Sequence, residues 1–216
     1  MLIIFDLDDT LIDTSGAIVP FKLKLCLERL KELGLRYDDF EAAYERLLAL
    51  NAAALRSRDA LEAFINLSHG DPSWLELVLP TMVSPLPEDF IVPTTPFAKE
   101  ILEELRISHD LTLVTAGYPP FQKEKLKKAG IEPSLFSNIL IPEDCIKRPA
   151  YEALYKQFFK GQALVCGDRI WVDLLPAHEL GFTTVHMRWG RGLLNQTEPW
   201  IDYSISGLRE LRDIVR

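Results

Sequence analysis

Cysteine is scarce in this 216-residue chain and never closely paired: Cys26, Cys145 and Cys166 are odd in number and widely spaced. No Cys-x-x-Cys occurs, which argues against a disulfide framework or a zinc site. Cys166 lies in an apolar run and reads as a small buried hydrophobe. Positive charge is also short, with 24 Lys and Arg against 32 Asp and Glu and a formal net charge of −8. That balance speaks against a nucleic-acid or membrane surface as main partner. It leaves room for a small anion, because a metal and a few cations reverse the field locally. Long apolar runs are missing, so no membrane span is expected. The N-terminus lacks a basic segment followed by an apolar stretch and a small-residue cleavage site; a cytoplasmic, reducing location is the default expectation. The four histidines, His69, His109, His178 and His186, show no metal-ligand spacing. Repeats and low-complexity tracts are absent too. What remains is 48% hydrophobic and 26% charged, enough for a large core in one domain, or one domain with a sizeable insert.

Residues 2–6 read as a buried strand. After Pro20 the period changes: Leu23, Leu27, Leu30 and Leu33 recur at helical spacing, and Gly34 stands where a helix ends. Further helices are expected over 38–54, 59–67 and 74–79. Residues 80–96 carry Pro80, Pro85, Pro87, Pro93 and Pro96 and read as a linker into another module. From there strands and helices alternate. Thr95 is placed to cap a helix with Pro96 at its first position. Strands follow at 111–115, 139–141, 163–166, 183–187 and 203–205, with helices at 121–129, 150–159, 172–180 and 207–215. This alternation predicts an α/β fold, a Rossmann-like three-layer core with a parallel sheet. The core is expected to comprise 1–14 and 95–216, with 15–94 as an inserted helical domain.

The chemistry clusters at strand ends, where open parallel sheets bind ligands. Ile3-Ile4-Phe5-Asp6-Leu7-Asp8-Asp9-Thr10-Leu11 puts three acids at the exit of a buried strand. Asp6 and Asp8 share a face if the extended geometry persists. Acids that close repel unless a cation lies between them, and oxygen-only ligation suits Mg²⁺; the plainer alternative is a solvated acidic turn. The strand at 111–114 delivers Thr115-Ala116-Gly117, a hydroxyl and backbone N–H groups fit for phosphate, or an ordinary cap. The strand at 163–166 delivers Gly167-Asp168 and, five residues on, Asp173, where a metal ligand and a helix cap are both open readings. Lys147 and Arg148 precede Pro149 and the next helix, where a cation can balance Asp6 or stay solvated.

Together these segments resemble the haloacid dehalogenase (HAD) superfamily. Asp6-Leu7-Asp8-Asp9-Thr10 is similar to its DxDxT signature, Thr115 to its second motif, the Lys147 region to its third, and Gly167-Asp168 through Asp173 to its GDxxxxD fourth. The insert between the first two motifs resembles the C1 helical cap of subclass I. Two positions depart: Arg148, not Lys147, stands directly before the proline, and Val172 replaces the Asn or Asp often found before the last acid.

The resemblance implies a phosphomonoester hydrolase. Asp6 would be the nucleophile, passing through an aspartyl-phosphate, and Asp8 the general acid and base, a role that calls for a raised pKa. Mg²⁺ would be held by Asp6, the Asp8 carbonyl, Asp168 and Asp173. Thr115 and Lys147 complete the catalytic set, and phosphate is expected among Thr10, Thr115, Ala116, Gly117, Lys147 and Arg148, with Thr10 bracing the loop. The substrate would be a small phosphorylated metabolite. Asp8 argues against a carbon–halogen hydrolase; a phosphomutase of the same superfamily stays open, as does a non-catalytic phosphate-binding regulator. Lys22, Lys24, Arg56 and Arg58 of the insert are candidates for an anionic leaving group, or solvated charges. Hinges near 14–16 and 93–95 would let the cap open and close. Oligomeric state is not legible.

Overall fold

Two compact units make up the chain in the computed structural model, which describes residues 1–54, 56–142, 146–157 and 163–215. One combines Met1–Ser15 with Leu86–Arg216, and the other is Gly16–Pro85. In chain order the elements are β1 (Leu2–Phe5), α1 (Val19–Glu32), α2 (Phe40–Ala53), α3 (Ser57–Leu67), α4 (Trp74–Met82), α5 (Ala98–Leu105), β2 (Asp110–Val114), α6 (Pro119–Lys128), β3 (Asn138–Leu140), α7 (Arg148–Tyr155), β4 (Ala163–Gly167), α8 (Leu175–Glu179), β5 (Thr183–Met187), β6 (Tyr203–Ile205) and α9 (Leu211–Ile214). The predicted helix over 150–159 and the residue Cys145 fall partly or wholly outside the described residues.

Among the described residues the sheet has six strands in the order β3-β2-β1-β4-β5-β6, every pair parallel. β1 is central, which is why it can be apolar on both faces: all four of its residues are buried. Leu2 and Ile4 share one face with Val114, Ala163 and Val165, under Tyr151 and Leu154 of α7 and Ala177 of α8. On the other face lie Ile3, Phe5, Leu113 and Cys166, all buried. The α/β expectation and its six strands are met.

The four helices of Gly16–Pro85 bury their own core. Leu23, Cys26, Leu27 and Leu30 of α1 meet Ala43 and Leu47 of α2, Leu61, Phe64 and Ile65 of α3, and Leu75 and Val78 of α4. Burial pushes the Cys26 thiol up to about 12, so it stays a neutral packing group. Lys22 corrects a sequence expectation. It is wholly buried, and its ammonium donates to Ser84 O (2.5 Å), Ser84 Oγ (2.9 Å) and Pro85 O (3.3 Å). It ties α1 to the end of the insert and is not open to a leaving group. Arg56 pairs with Asp59 and Arg58 with Glu76, both exposed; the reading of these two as solvated charges is the one the geometry matches.

The second boundary also moves. The proline-rich stretch 86–94, assigned above to the insert, packs with the α/β unit. Leu86 N donates to Glu124 (2.9 Å), Asp13 N to Pro93 O (2.9 Å), and Thr94 bridges antiparallel to Ile12. Proline removes N–H donors but leaves carbonyls, and these anchor the segment. Thr95 does not cap α5. Phe97, at φ 65°, turns the chain before Ala98, and the Thr95 hydroxyl donates instead to Thr10 O (2.7 Å).

Candidate active site

The register of the central strands brings the acids together. Phe5 stands opposite Cys166, so Asp6 leaves β1 beside the carboxyl end of β4, where Asp168 follows Gly167. Asp6 N donates to Cys166 O (3.0 Å) and holds the two ends together. Beyond β4 a π-helical turn, Ile170–Leu174, carries Asp173 back towards them. Carboxylate oxygens of Asp6, Asp168 and Asp173 all lie within 4.8 Å of one another, and all three residues are buried. Gly167 makes this possible: a Cβ there would stand 2.6 Å from the Asp173 Cβ. Asp173 Oδ2 accepts from Arg169 N (2.9 Å), so it closes its own turn and does not cap α8.

Lys147 enters from the start of α7. Its ammonium lies 2.5 Å from Asp6 Oδ1 and 2.6 Å from Asp173 Oδ1, and its side chain is 2% exposed. The next residue faces the other way: Arg148 is exposed and pairs with Glu152 (2.9 Å) and Glu179. Its expected place in the phosphate site is therefore corrected, because one peptide step along a helix start turns the side chain by about 100°. Three buried acids face one buried ammonium. Burial, then Asp173 and Asp8, push the Asp6 carboxyl up to about 7 against the pull of Lys147. Burial together with Asp173 and Asp6 raises Asp168 well above its usual range. Burial opposes the charge on Lys147, but Asp173 and Asp6 more than offset it. Among the described residues, Asp168 Oδ1 is buried without a hydrogen-bond partner. An excess of hard oxygen donors, one of them unpartnered, fits a small divalent cation.

Asp8 takes another direction from the one expected. The strand ends at Phe5, and the loop folds back on Leu7, whose carbonyl accepts from Leu11 N (2.9 Å) and Ile12 N (3.1 Å). The Asp8 carboxylate then meets α6. Lys125 Nζ lies 2.6 and 2.7 Å from its two oxygens, Gln122 Nε2 lies 3.0 Å from Oδ2, and the Thr14 hydroxyl donates to Oδ1. The carboxyl is lowered, not raised: burial works upward, but Lys125 and the hydrogen bonds from Lys125, Thr14 and Gln122 outweigh it. The side chain of Asp8 is thus outside the three-carboxylate cluster. Asp9 accepts from Ser15 N (2.7 Å) and from the Ser15 hydroxyl.

Thr115 follows β2 and is buried. Its oxygen accepts from Gln122 Nε2 (2.7 Å), which leaves its own proton free to donate. Gly117 N, by contrast, already donates to Pro142 O (3.1 Å), and Ala116 O accepts from Gln122 (2.8 Å). The open amides expected at 116–117 are thereby reduced. Thr10 is wholly buried, with its Oγ1 unpartnered among the described residues, so it braces the loop through its carbonyl and offers no surface to a substrate.

Gln122 and Lys125 are the residues the sequence reading missed. Their signal was present: both interrupt the buried face of α6 between Phe121 and Leu126, and a buried polar residue needs a partner. His186 on β5, one of the four histidines named above, is wholly buried, with Nε2 3.2 Å from Asp168 O. The loop after β5 presses on the same region, since a Cβ on Gly190, at φ 49°, would run into the Asp9 carboxylate. Gly190→Ala is expected to cost roughly 2 kcal/mol or more from left-handed strain plus the clash, read as a lowered midpoint in thermal unfolding.

Three comparisons with known proteins bear on the family. Over 206 residues the chain is 28% identical to a glyceraldehyde 3-phosphate phosphatase of Pyrococcus abyssi, covering 88% of this chain and 82% of the relative. It is 28% identical over 225 residues to one of Methanocaldococcus jannaschii, covering 99% and 96%. The fold superimposes on the magnesium-bound HAD-hydrolase YfnB of Bacillus subtilis at a TM-score of 0.71 and 20% identity, covering 100% of this chain and 98% of that one. The family model for haloacid dehalogenase-like hydrolases matches residues 1–181. Because that match spans most of its length, the chain belongs to the haloacid dehalogenase-like hydrolases.

Proposed function

We propose that this hydrolase removes phosphate from a small phosphorylated metabolite, with Mg²⁺ as cofactor and an aspartyl-phosphate as intermediate. The observation that carries the reading is the buried Asp6 carboxylate held between Lys147 and the partner acids Asp168 and Asp173. A triose phosphate is the first substrate class to try, because the curated relatives are named for one.

The residues divide the work as follows. Asp6 attacks phosphorus, and the ester P–O bond breaks as the leaving oxygen takes a proton from Asp8, which must first pick one up against the pull of Lys125 that lowers its carboxyl. Water then attacks the phosphorus of the acyl phosphate, Asp8 takes its proton, and Asp6 is released with inorganic phosphate. Lys147 neutralises charge beside the nucleophile, and the Thr115 hydroxyl donates to a phosphoryl oxygen. Asp6, Asp168, Asp173 and the backbone carbonyl of Asp8 would hold Mg²⁺. Bound there, the ion supplies charge neutralisation for the phosphoryl oxygens. On this reading the helical insert supplies substrate selection.

A panel of phosphorylated metabolites with Mg²⁺, followed by phosphate release, tests the proposal. Glyceraldehyde 3-phosphate is expected among the better substrates, and EDTA is expected to abolish turnover until Mg²⁺ is restored. Undiminished release in EDTA would refute the metal assignment, and no release from any ester would refute the hydrolase.

A further inference from the structure

We infer that Lys125, together with Gln122, positions Asp8 for proton exchange with the leaving group, an inference that rests on the phosphatase reading. Asp8 stands on a loop, and its side chain is 30% exposed, whereas that of Lys125 is 5% exposed. The buried partner therefore fixes the exposed one. Lys125 reaches both carboxylate oxygens, Gln122 adds a bond to one and Thr14 to the other. A carboxylate held at both oxygens from three residues cannot rotate about its bond to Cβ. Among the described ion pairs, Lys125 has Asp8 as its partner, and its ammonium also lies 5.2 Å from the centroid of the Phe121 ring.

Gln122 extends the device. Its amide nitrogen bonds Asp8 and also Thr115 Oγ1, at 3.0 and 2.7 Å. Residues 122 and 125 share one face of α6. One helix face thus sets the spacing between the hydroxyl offered to phosphate and the carboxyl offered to the leaving oxygen. A proton donor acts only within hydrogen-bond reach of its target, and small misplacements are costly. None of these contacts is needed to form the cluster of Asp6, Asp168 and Asp173.

The leaving group separates positioning from simple support. The aryl oxide of p-nitrophenyl phosphate departs without a proton, whereas the alkoxide of an alkyl phosphate needs one. Steady-state kinetics of the wild type, Lys125→Met, Lys125→Arg, Gln122→Leu and Asp8→Asn, each with p-nitrophenyl phosphate and with glycerol 3-phosphate, give the comparison. Lys125→Met and Gln122→Leu are expected to lower kcat/KM, which reports the step that expels the leaving group, at least about tenfold more on the alkyl ester than on the aryl ester, in the same sense as Asp8→Asn. KM should move less than kcat, and Lys125→Arg should recover most of the loss. Equal losses of kcat/KM on both esters, or an unchanged alkyl kcat/KM, would overturn the inference. If the wild type releases phosphate from neither of these esters nor any member of the metabolite panel, it is the phosphatase reading that fails; where only a panel ester is turned over, that ester replaces glycerol 3-phosphate in the comparison. The crystal structure of Lys125→Met then decides the positioning claim: an Asp8 carboxylate withdrawn from Thr14 and Gln122 supports it, and one left in place refutes it.

Discussion

Asp6→Asn should abolish phosphate release, by roughly 10⁴-fold or more, the scale of losing a nucleophile that nothing else replaces. The amide keeps the shape of the side chain and its packing at the end of β1 but cannot form an acyl phosphate. The loss is not expected to come from unfolding. Burial and its acidic neighbours already push the Asp6 carboxyl up to about 7, so the ionised group is held at a cost that the amide does not carry. Lys147 keeps Asp173 as its partner at 2.6 Å. Thermal unfolding and circular dichroism of the variant should therefore match the wild type, while acid quenching after brief exposure to a phosphorus-labelled substrate should trap label on the wild-type chain and none on the variant. Retained turnover in Asp6→Asn would remove the covalent route.

Lys147→Met should have the largest effect on stability. It leaves the buried Asp6 and Asp173 carboxylates without their shared ammonium, and breaking one side of a buried ion pair costs about 3–5 kcal/mol. In a chain of this size that lowers the unfolding midpoint by roughly 10 °C. Activity should fall with it, because the charge beside the nucleophile is gone. Arg148→Ala is the matched control. Its partners Glu152 and Glu179 are exposed, and exposed pairs contribute about 0–1 kcal/mol. The midpoint and kcat of Arg148→Ala should stay near wild type. If the two results were exchanged, the third-motif cation would be Arg148.

Much of the fold was legible because it is local. The six strands announce themselves as short apolar runs, and the burial of β1 follows from its lack of any polar face. The acids of the first and fourth motifs sit at strand ends, where a parallel sheet collects ligands whatever the loops do. The cap over Thr95 and Pro96 was misread for an equally local reason: the pattern suits a helix start, but the hydroxyl found a buried carbonyl at Thr10, far off in the chain. The proline-rich stretch 86–94 was given to the insert on composition, which records missing donors and says nothing of where the carbonyls anchor.

The sequence by itself pointed to acids gathered at the carboxyl edge of a parallel sheet, since side-chain period and charge both put them at strand ends. The tertiary structure alone decided which neighbour each charge would take. Lys147 turned in and Arg148 out. Asp8 left the carboxylate cluster for Lys125, 117 residues away. The reason is that a buried charge is stable only beside its counter-charge, and that pairing is a property of three-dimensional proximity, which no spacing along the chain encodes.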